Sequence, residues 1–181
     1  MNWSDRLPGN RDLYLRMLSN DQLAPVLSLD EVMSAVEKLR LAGEKIILAN
    51  GCFDLFHVGH LRYLVGAKEI GGVLLVALNS DRQTRLLKGS GRPYVPAAER
   101  AEIISGLRCV DLVMIFDDPT VEGVIRAVRP DFHAKGTDYT AESVPEREIV
   151  SECGGRVVIV GDPKDHSSTE LIGSVRRSSM E

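Results

Sequence analysis

The sequence predicts an α/β protein: a doubly wound parallel sheet of about five strands, helices on both faces, and a helical arm at the N-terminus. Three observations carry this. Apolar runs rich in Val, Ile and Leu recur at 46–49, 73–78, 112–116 and 157–160, with a weaker run at 132–135. They are continuous rather than alternating, as strands covered on both faces require. Stretches of helical periodicity separate them, so successive strands are joined by crossovers and run parallel.

In chain order, residues 11–19 read as a short helix. Ser28-Leu29-Asp30-Glu31 is a capping box, with Ser28 as N-cap and Glu31 reaching back. Leu29, Val32, Val36 and Leu39 mark the apolar face that follows, and Gly43 stops it. This divides the chain into an arm over 1–43, which packs on the main domain or on a partner chain, and a main domain over 44–181. Leu61, Leu64 and Val65 define a helix over 60–70, and 97–107 is another. In the helix over 119–128, Asp118 is the expected N-cap, Pro119 lies in the first turn and Pro130 is the stop. A helix over 145–153 ends at Gly154-Gly155. Ser167-Ser168-Thr169-Glu170 is a second capping box, opening a last helix through Val175. In such a Rossmann-like sheet the ligand crevice lies at the carboxyl ends of the strands, near a switch in strand order.

The composition narrows the function. The 181 residues are 44% hydrophobic, enough for one ordinary core. Twenty-two basic and 26 acidic residues give a net charge of −4, which argues against a broad nucleic-acid surface. There is no apolar run of membrane-spanning length, and the start, MNWSDRLPGN, lacks a signal-peptide pattern. Cys52, Cys109 and Cys153 are scattered and odd in number, which suits reduced thiols. A cytoplasmic protein is expected.

Two of the chain's four histidines, His57 and His60, stand three residues apart just after the first apolar run. If a helix begins between them, both project from its first turn, beside unpaired backbone N–H groups and the positive end of the helix dipole. Gly59 lets an anion approach the backbone. This combination describes a phosphate site with two imidazole donors, suited to phosphoryl or nucleotidyl transfer. Zinc is disfavoured, because Asp54 is the only nearby third ligand. Neither a Gly-x-x-x-x-Gly-Lys-Ser/Thr loop nor a G-x-G-x-x-G turn is present.

H-V-G-H after a first strand resembles the HxGH signature of the nucleotidyltransferase superfamily. NGCFDLFHVGH, NSDRQTRLLKGSGRPYVPAAER, VDLVMIFDDPT, KGTDY and HSSTELI follow in order. Together they are similar to the adenylyltransferase domain of the bacterial ADP-heptose synthase type, over about residues 28–177, without its kinase domain. The resemblance implies AMP transfer from ATP, with Mg²⁺, to D-glycero-β-D-manno-heptose 1-phosphate.

It also implies site residues. His57, His60, Lys88 and Arg100 would be catalytic. Lys88 is otherwise a solvated loop lysine, and Arg100 a surface residue or half of an ion pair with Glu99 or Glu102. Asn50, Gly51, Cys52, Phe53, Gly59, Lys135, Gly136, Asp138, Ser168 and Thr169 would face the nucleotide and its phosphates, with Lys135 suited to the sugar phosphate. Asp54, Asn79, Asp81 and Arg92 would face the acceptor. Asp54 equally reads as a turn cap, and Asp81 as the cap of the next helix. Where cytidylyltransferases acting on glycerol phosphate carry R-T-E-G-I-S-T-T, this chain has P-K-D-H-S-S-T-E, with Lys164 near the missing arginine. A cytidylyltransferase for glycerol 3-phosphate or ethanolamine phosphate is the alternative, and a non-catalytic nucleotide-binding module a second. Related proteins commonly form homodimers, and the helix over 28–42 is a candidate interface.

Overall fold

The computed structural model describes residues 23–162. Its elements are β1 (Val26–Leu27), α1 (Leu29–Leu41), β2 (Ile46–Gly51), α2 (Val58–Glu69), β3 (Val73–Asn79), α3 (Asp81–Lys88), α4 (Ala97–Ser105), β4 (Leu112–Phe116), α5 (Glu122–Val128), β5 (Phe132–Gly136), α6 (Arg147–Glu152) and β6 (Arg156–Val160). The strands form one parallel sheet in the order β1-β4-β3-β2-β5-β6.

The apolar runs are buried on both faces, and alternate residues divide between two cores. Ile46 and Leu48 of β2, with Val73, Leu75, Ala77, Leu112 and Met114, meet α1, α5 and α6. Ile47 and Ala49, with Leu74, Val76, Leu78 and Val113, meet α2 and α4. Steps from β2 toward β4 carry their helices on the second face. Steps in the other direction, β1 to β2 and β4 to β6, carry theirs on the first. A single crossover hand produces this division, and it places the switch in strand order between β2 and β5.

Several elements differ from the sequence expectation. The sheet has six strands, because Val26–Leu27 pairs with Val113 and Met114 of β4. Two residues are too short to show a period. Ser28 does cap α1 through a capping box with Glu31, and Val32, Ala35, Val36 and Leu39 are buried against the sheet. Residues 81–88 form α3, which includes Lys88, expected on a loop. Its cap is Ser80, whose Oγ accepts from Gln83 N–H at 3.1 Å, so Asp81 is released from capping. α5 starts at Glu122 without a side-chain cap, and Asp118 lies in the preceding bend. The expected helices over 11–19 and from 167 lie outside the described residues.

Two glycines hold strand starts close to neighbouring backbone. A Cβ on Gly155 would lie 2.2 Å from the carbonyl oxygen of Pro130, and one on Gly72 2.5 Å from that of Lys45. Carbonyls of the sheet cannot yield as a side chain does. Gly155→Ala should therefore cost roughly 2–3 kcal/mol, a drop in Tm of about 4–10 °C. Gly136→Ala, whose Cβ would meet nothing within 4 Å, should leave Tm near wild type in the same melts.

Candidate active site

β2 delivers the chain to the crevice, and the turn to α2 is built around aromatic packing. Phe53 sits in the left-handed region at φ 48°, a strained setting for a bulky residue. Its ring is buried, and Gly51 leaves space for it: a Cβ there would lie 3.1 Å from the ring. His57 is the N-cap of α2, its Nδ1 accepting the Gly59 N–H at 3.2 Å. A neutral His57 therefore carries its proton on Nε2. The expected bare backbone floor is narrowed by this bond, since the Gly59 N–H is engaged by the cap.

His60 lies one turn on. Its ring stacks on His57 at 3.8 Å between centroids, meets the Phe53 ring edge-on at 5.1 Å and faces Phe56 at 5.6 Å. Burial among these rings lowers its pKa to about 4, aided by the positive fields of His57 and Lys88. His60 is thus neutral at pH 7 and retains one N–H donor. Lys88, exposed at the last residue of α3, is the smallest of the three contributions to the lowered His60 pKa.

Arg100 is drawn inward rather than toward a ligand. It is 1% exposed. Nε donates to Val95 O at 2.9 Å, Nη1 to Cys52 O at 2.5 Å and Asn79 O at 2.9 Å, and Nη2 to Asp81 at 2.8 Å. It ties the turn after β2 to the end of β3. Asp54, 3% exposed, is also structural: Oδ1 accepts from Tyr94 N–H at 2.6 Å and Val95 N–H at 3.1 Å. Its Oδ2 lies 2.6 Å from Arg92 Nε, an ion pair by distance whose N–H is poorly aligned. Arg92 also stacks on Tyr94 at 4.6 Å. Asp54 and Arg100 are thus buried in one network, which Arg92 and Asp81 join as their ion-pair partners. Asn79 is buried beside them, with its Oδ1 3.7 Å from Cys52 Sγ.

The opposite wall is the end of β5. The β2–β5 pairing stops at Ala49 and Ala134. There Tyr63 of α2 enters the gap, donating to Ala134 O at 2.8 Å and accepting the Asn50 backbone N–H. Burial drives its pKa far above the ordinary phenol value. On the other face, Asn50 Oδ1 receives His133 Nε2 at 3.0 Å and Lys135 Nζ at 3.1 Å. Lys135 also pairs with Glu146 at 3.1 Å. Burial lowers the Lys135 pKa while Glu146 opposes that shift. His133 is fully buried, and its pKa falls to about 3, through burial first and Lys135 second. Gly136 has no positive φ, and Asp138 is exposed on the following turn, closed by Tyr139 N–H to Gly136 O at 3.1 Å. Ser168, Thr169 and Lys164 lie outside the described residues.

The fold thus brings His57, His60 and Phe53 together under the field of Lys88, with Asn50 and Lys135 across the switch. Sequence reasoning missed Tyr63, His133 and Glu146. A signal existed for His133: with Lys135 it puts two polar side chains on one face of a covered strand, which burial tolerates only with partners. Among the described residues, no group of three His, Cys, Asp or Glu is placed to hold a metal ion, and no helix is long and apolar enough to cross a membrane.

Two outcomes are expected. Arg100→Met leaves Asp81 and three carbonyls without their partner and should cost about 3–5 kcal/mol, read as a lowered denaturation midpoint. His60 and His133 stay neutral in the fold but take up protons in the unfolded chain below about pH 6.5. Their linkage leaves stability intact above pH 6.5 and lowers it as pH falls toward 5, with the unfolded chain binding up to two more protons. Melts between pH 7.5 and 5 should show this slope, and His133→Gln should reduce it.

Residues 48–174 match the family described as cytidylyltransferase-like. The chain is 45% identical over 153 residues to the Bifunctional protein HldE of Desulfatibacillum aliphaticivorans, covering 84% of this chain and 31% of that one. It is 42% identical over 159 residues to the Bifunctional protein HldE of Geobacter metallireducens, covering 88% and 32%. The chain therefore spans about a third of the length of these curated relatives. The crystal structure of the lipopolysaccharide core biosynthesis protein from Thermoplasma volcanium GSS1 superposes with a TM-score of 0.59 at 24% identity, over 67% of this chain and 100% of that one. At that identity the likeness is one of fold. With His57 capping α2 beside His60 at the switch of a parallel sheet, and a family match over most of its length, this chain belongs to the cytidylyltransferase-like family of nucleotidyltransferases.

Proposed function

We propose that the chain transfers the AMP group of ATP to D-glycero-β-D-manno-heptose 1-phosphate, releasing pyrophosphate and forming ADP-heptose, a lipopolysaccharide precursor. The observation that carries transfer is the stacked pair His57–His60 at the N-terminus of α2, neutral at His60 and under the field of Lys88. The heptose assignment rests on the motif resemblance and on the identity to the HldE proteins.

The acceptor phosphate is ionised near neutral pH, so its oxygen attacks the α-phosphorus without a general base. Negative charge grows on the α-phosphoryl oxygens and the leaving pyrophosphate. His57, with Nε2–H directed away from its cap, and the remaining N–H of His60 donate to those oxygens, and Lys88 offsets the polyphosphate charge. A neutral imidazole suits this role: it donates a hydrogen bond without transferring a proton that the leaving group does not need. Arg100 acts by holding the Cys52 and Asn79 carbonyls that frame the pocket. No protein cage for Mg²⁺ is present among the described residues, so the ion would travel on the phosphate oxygens with its waters. The exposed Leu29, Met33 and Leu41 of α1 are the surface we assign to pairing of two copies, in a protein of the cytoplasm.

The family description also favours a second reading, a cytidylyltransferase acting on glycerol 3-phosphate or ethanolamine phosphate. Pyrophosphate release with Mg²⁺, offering ATP or CTP with each acceptor, separates the two. Release is expected only from ATP with the heptose phosphate; release from CTP would overturn the adenylyl assignment and retain the chemistry. His60→Ala should lower kcat by about 10²–10³, equivalent to ~2.7–4 kcal/mol, in a protein that still melts cooperatively. A near wild-type rate would remove His60 from the mechanism.

A further inference from the structure

We propose that His133 is a positioning residue that fixes the Asn50 amide with its N–H₂ toward the crevice, so that this position accepts a phosphoryl oxygen of the nucleotide. This deepens the nucleotidyl-transfer reading and rests on it. Lys135 Nζ lies 3.1 Å from the Asn50 amide and has no lone pair to offer, so the atom facing it is the oxygen. His133 Nε2 lies 3.0 Å from that same oxygen. An oxygen that only accepts requires Nε2 to carry the proton, which sets the His133 tautomer. Two donors thus converge on Asn50 Oδ1, and an amide flip would turn N–H₂ against both.

The remaining half of the amide is what matters. Nδ2 makes no hydrogen bond among the described residues, and it is not a buried unpartnered atom. Asn50 itself is half-buried at the carboxyl end of β2, opposite Lys135, where the sheet opens. Its two outward N–H bonds are therefore donors presented to solvent at the switch between β2 and β5. A donor there pairs with an acceptor, and on the transfer reading the phosphoryl oxygens of the nucleotide supply one. His133 touches no ligand: it is fully buried. Its effect passes through Asn50. Its low pKa follows from the same place, through burial first and through the neighbouring Lys135 cation second.

The test compares binding of MgATP by calorimetry with steady-state kinetics. His133→Gln keeps a donor near Nε2, and binding and KM should stay within about twofold of wild type. His133→Leu keeps the volume without the donor. It should weaken MgATP binding about tenfold with a matching rise in KM for ATP, while kcat changes less than threefold. Equal losses in both variants would make His133 a packing residue and overturn the proposal. Should His133→Leu fail to fold, Asn50→Asp decides the matter: it preserves the shape and both inward contacts but offers an anion outward. A loss of MgATP affinity above tenfold is expected, and wild-type affinity would overturn the proposal. Wild type that binds MgATP without turnover would sink the transfer reading and leave this comparison intact. Wild type that binds no MgATP would sink both.

Discussion

The parting of β2 from β5 is the constraint on which the site depends. Through Ala49 and Ala134 the two strands share a ladder; one residue later they are separated by a hydroxyl. A gap in a covered parallel sheet leaves backbone donors and acceptors exposed to an apolar surrounding, and Tyr63 satisfies one of each. The opening is therefore stable rather than frayed. What lies above it follows: Asn50 and Lys135 end their strands there, and α2 begins there with its histidine cap.

Around that opening the protein uses charged side chains mostly as internal struts. Arg100 and Asp54 hold loop backbone, with Asp81 and Arg92 as their ion-pair partners. This separates two tasks that compete when one side chain performs both. A buried guanidinium with four partners is rigid but inaccessible, whereas a lysine at a helix end is accessible but mobile. His60 stands between these limits, locked by three rings and still able to donate.

The fold is largely legible in the sequence because its strands are covered on both faces. Continuous apolar runs at 46–49, 73–78 and 112–116 reveal themselves without a period, and H-V-G-H stands at a helix start as its spacing suggests. What stays hidden has physical reasons. β1 is too short to carry a pattern. α3 is amphipathic but polar, and a polar stretch between strands reads as loop. For Arg100 and Asp54, sequence shows residue type but not direction, and a charged side chain near a motif reads as a ligand when it is in fact turned inward. His133 is obscured by the apolar neighbours that make its strand recognisable.

The edge position of β1 sets a distance between the start of the described chain and the site. Leu23 leads into β1, where the Ala24 N–H meets Ser105 O on α4 and the Pro25 carbonyl receives Val113 N–H. Three strand spacings, about 14 Å at ~4.8 Å each, separate that edge from β2, and β5 lies beyond. Leu23, the first described residue, thus lies at the margin of the sheet, on the side away from β5 and β6. That edge and the opening between β2 and β5 are held at separate places on the sheet, so a change at β1 reaches the opening only through β4 and β3.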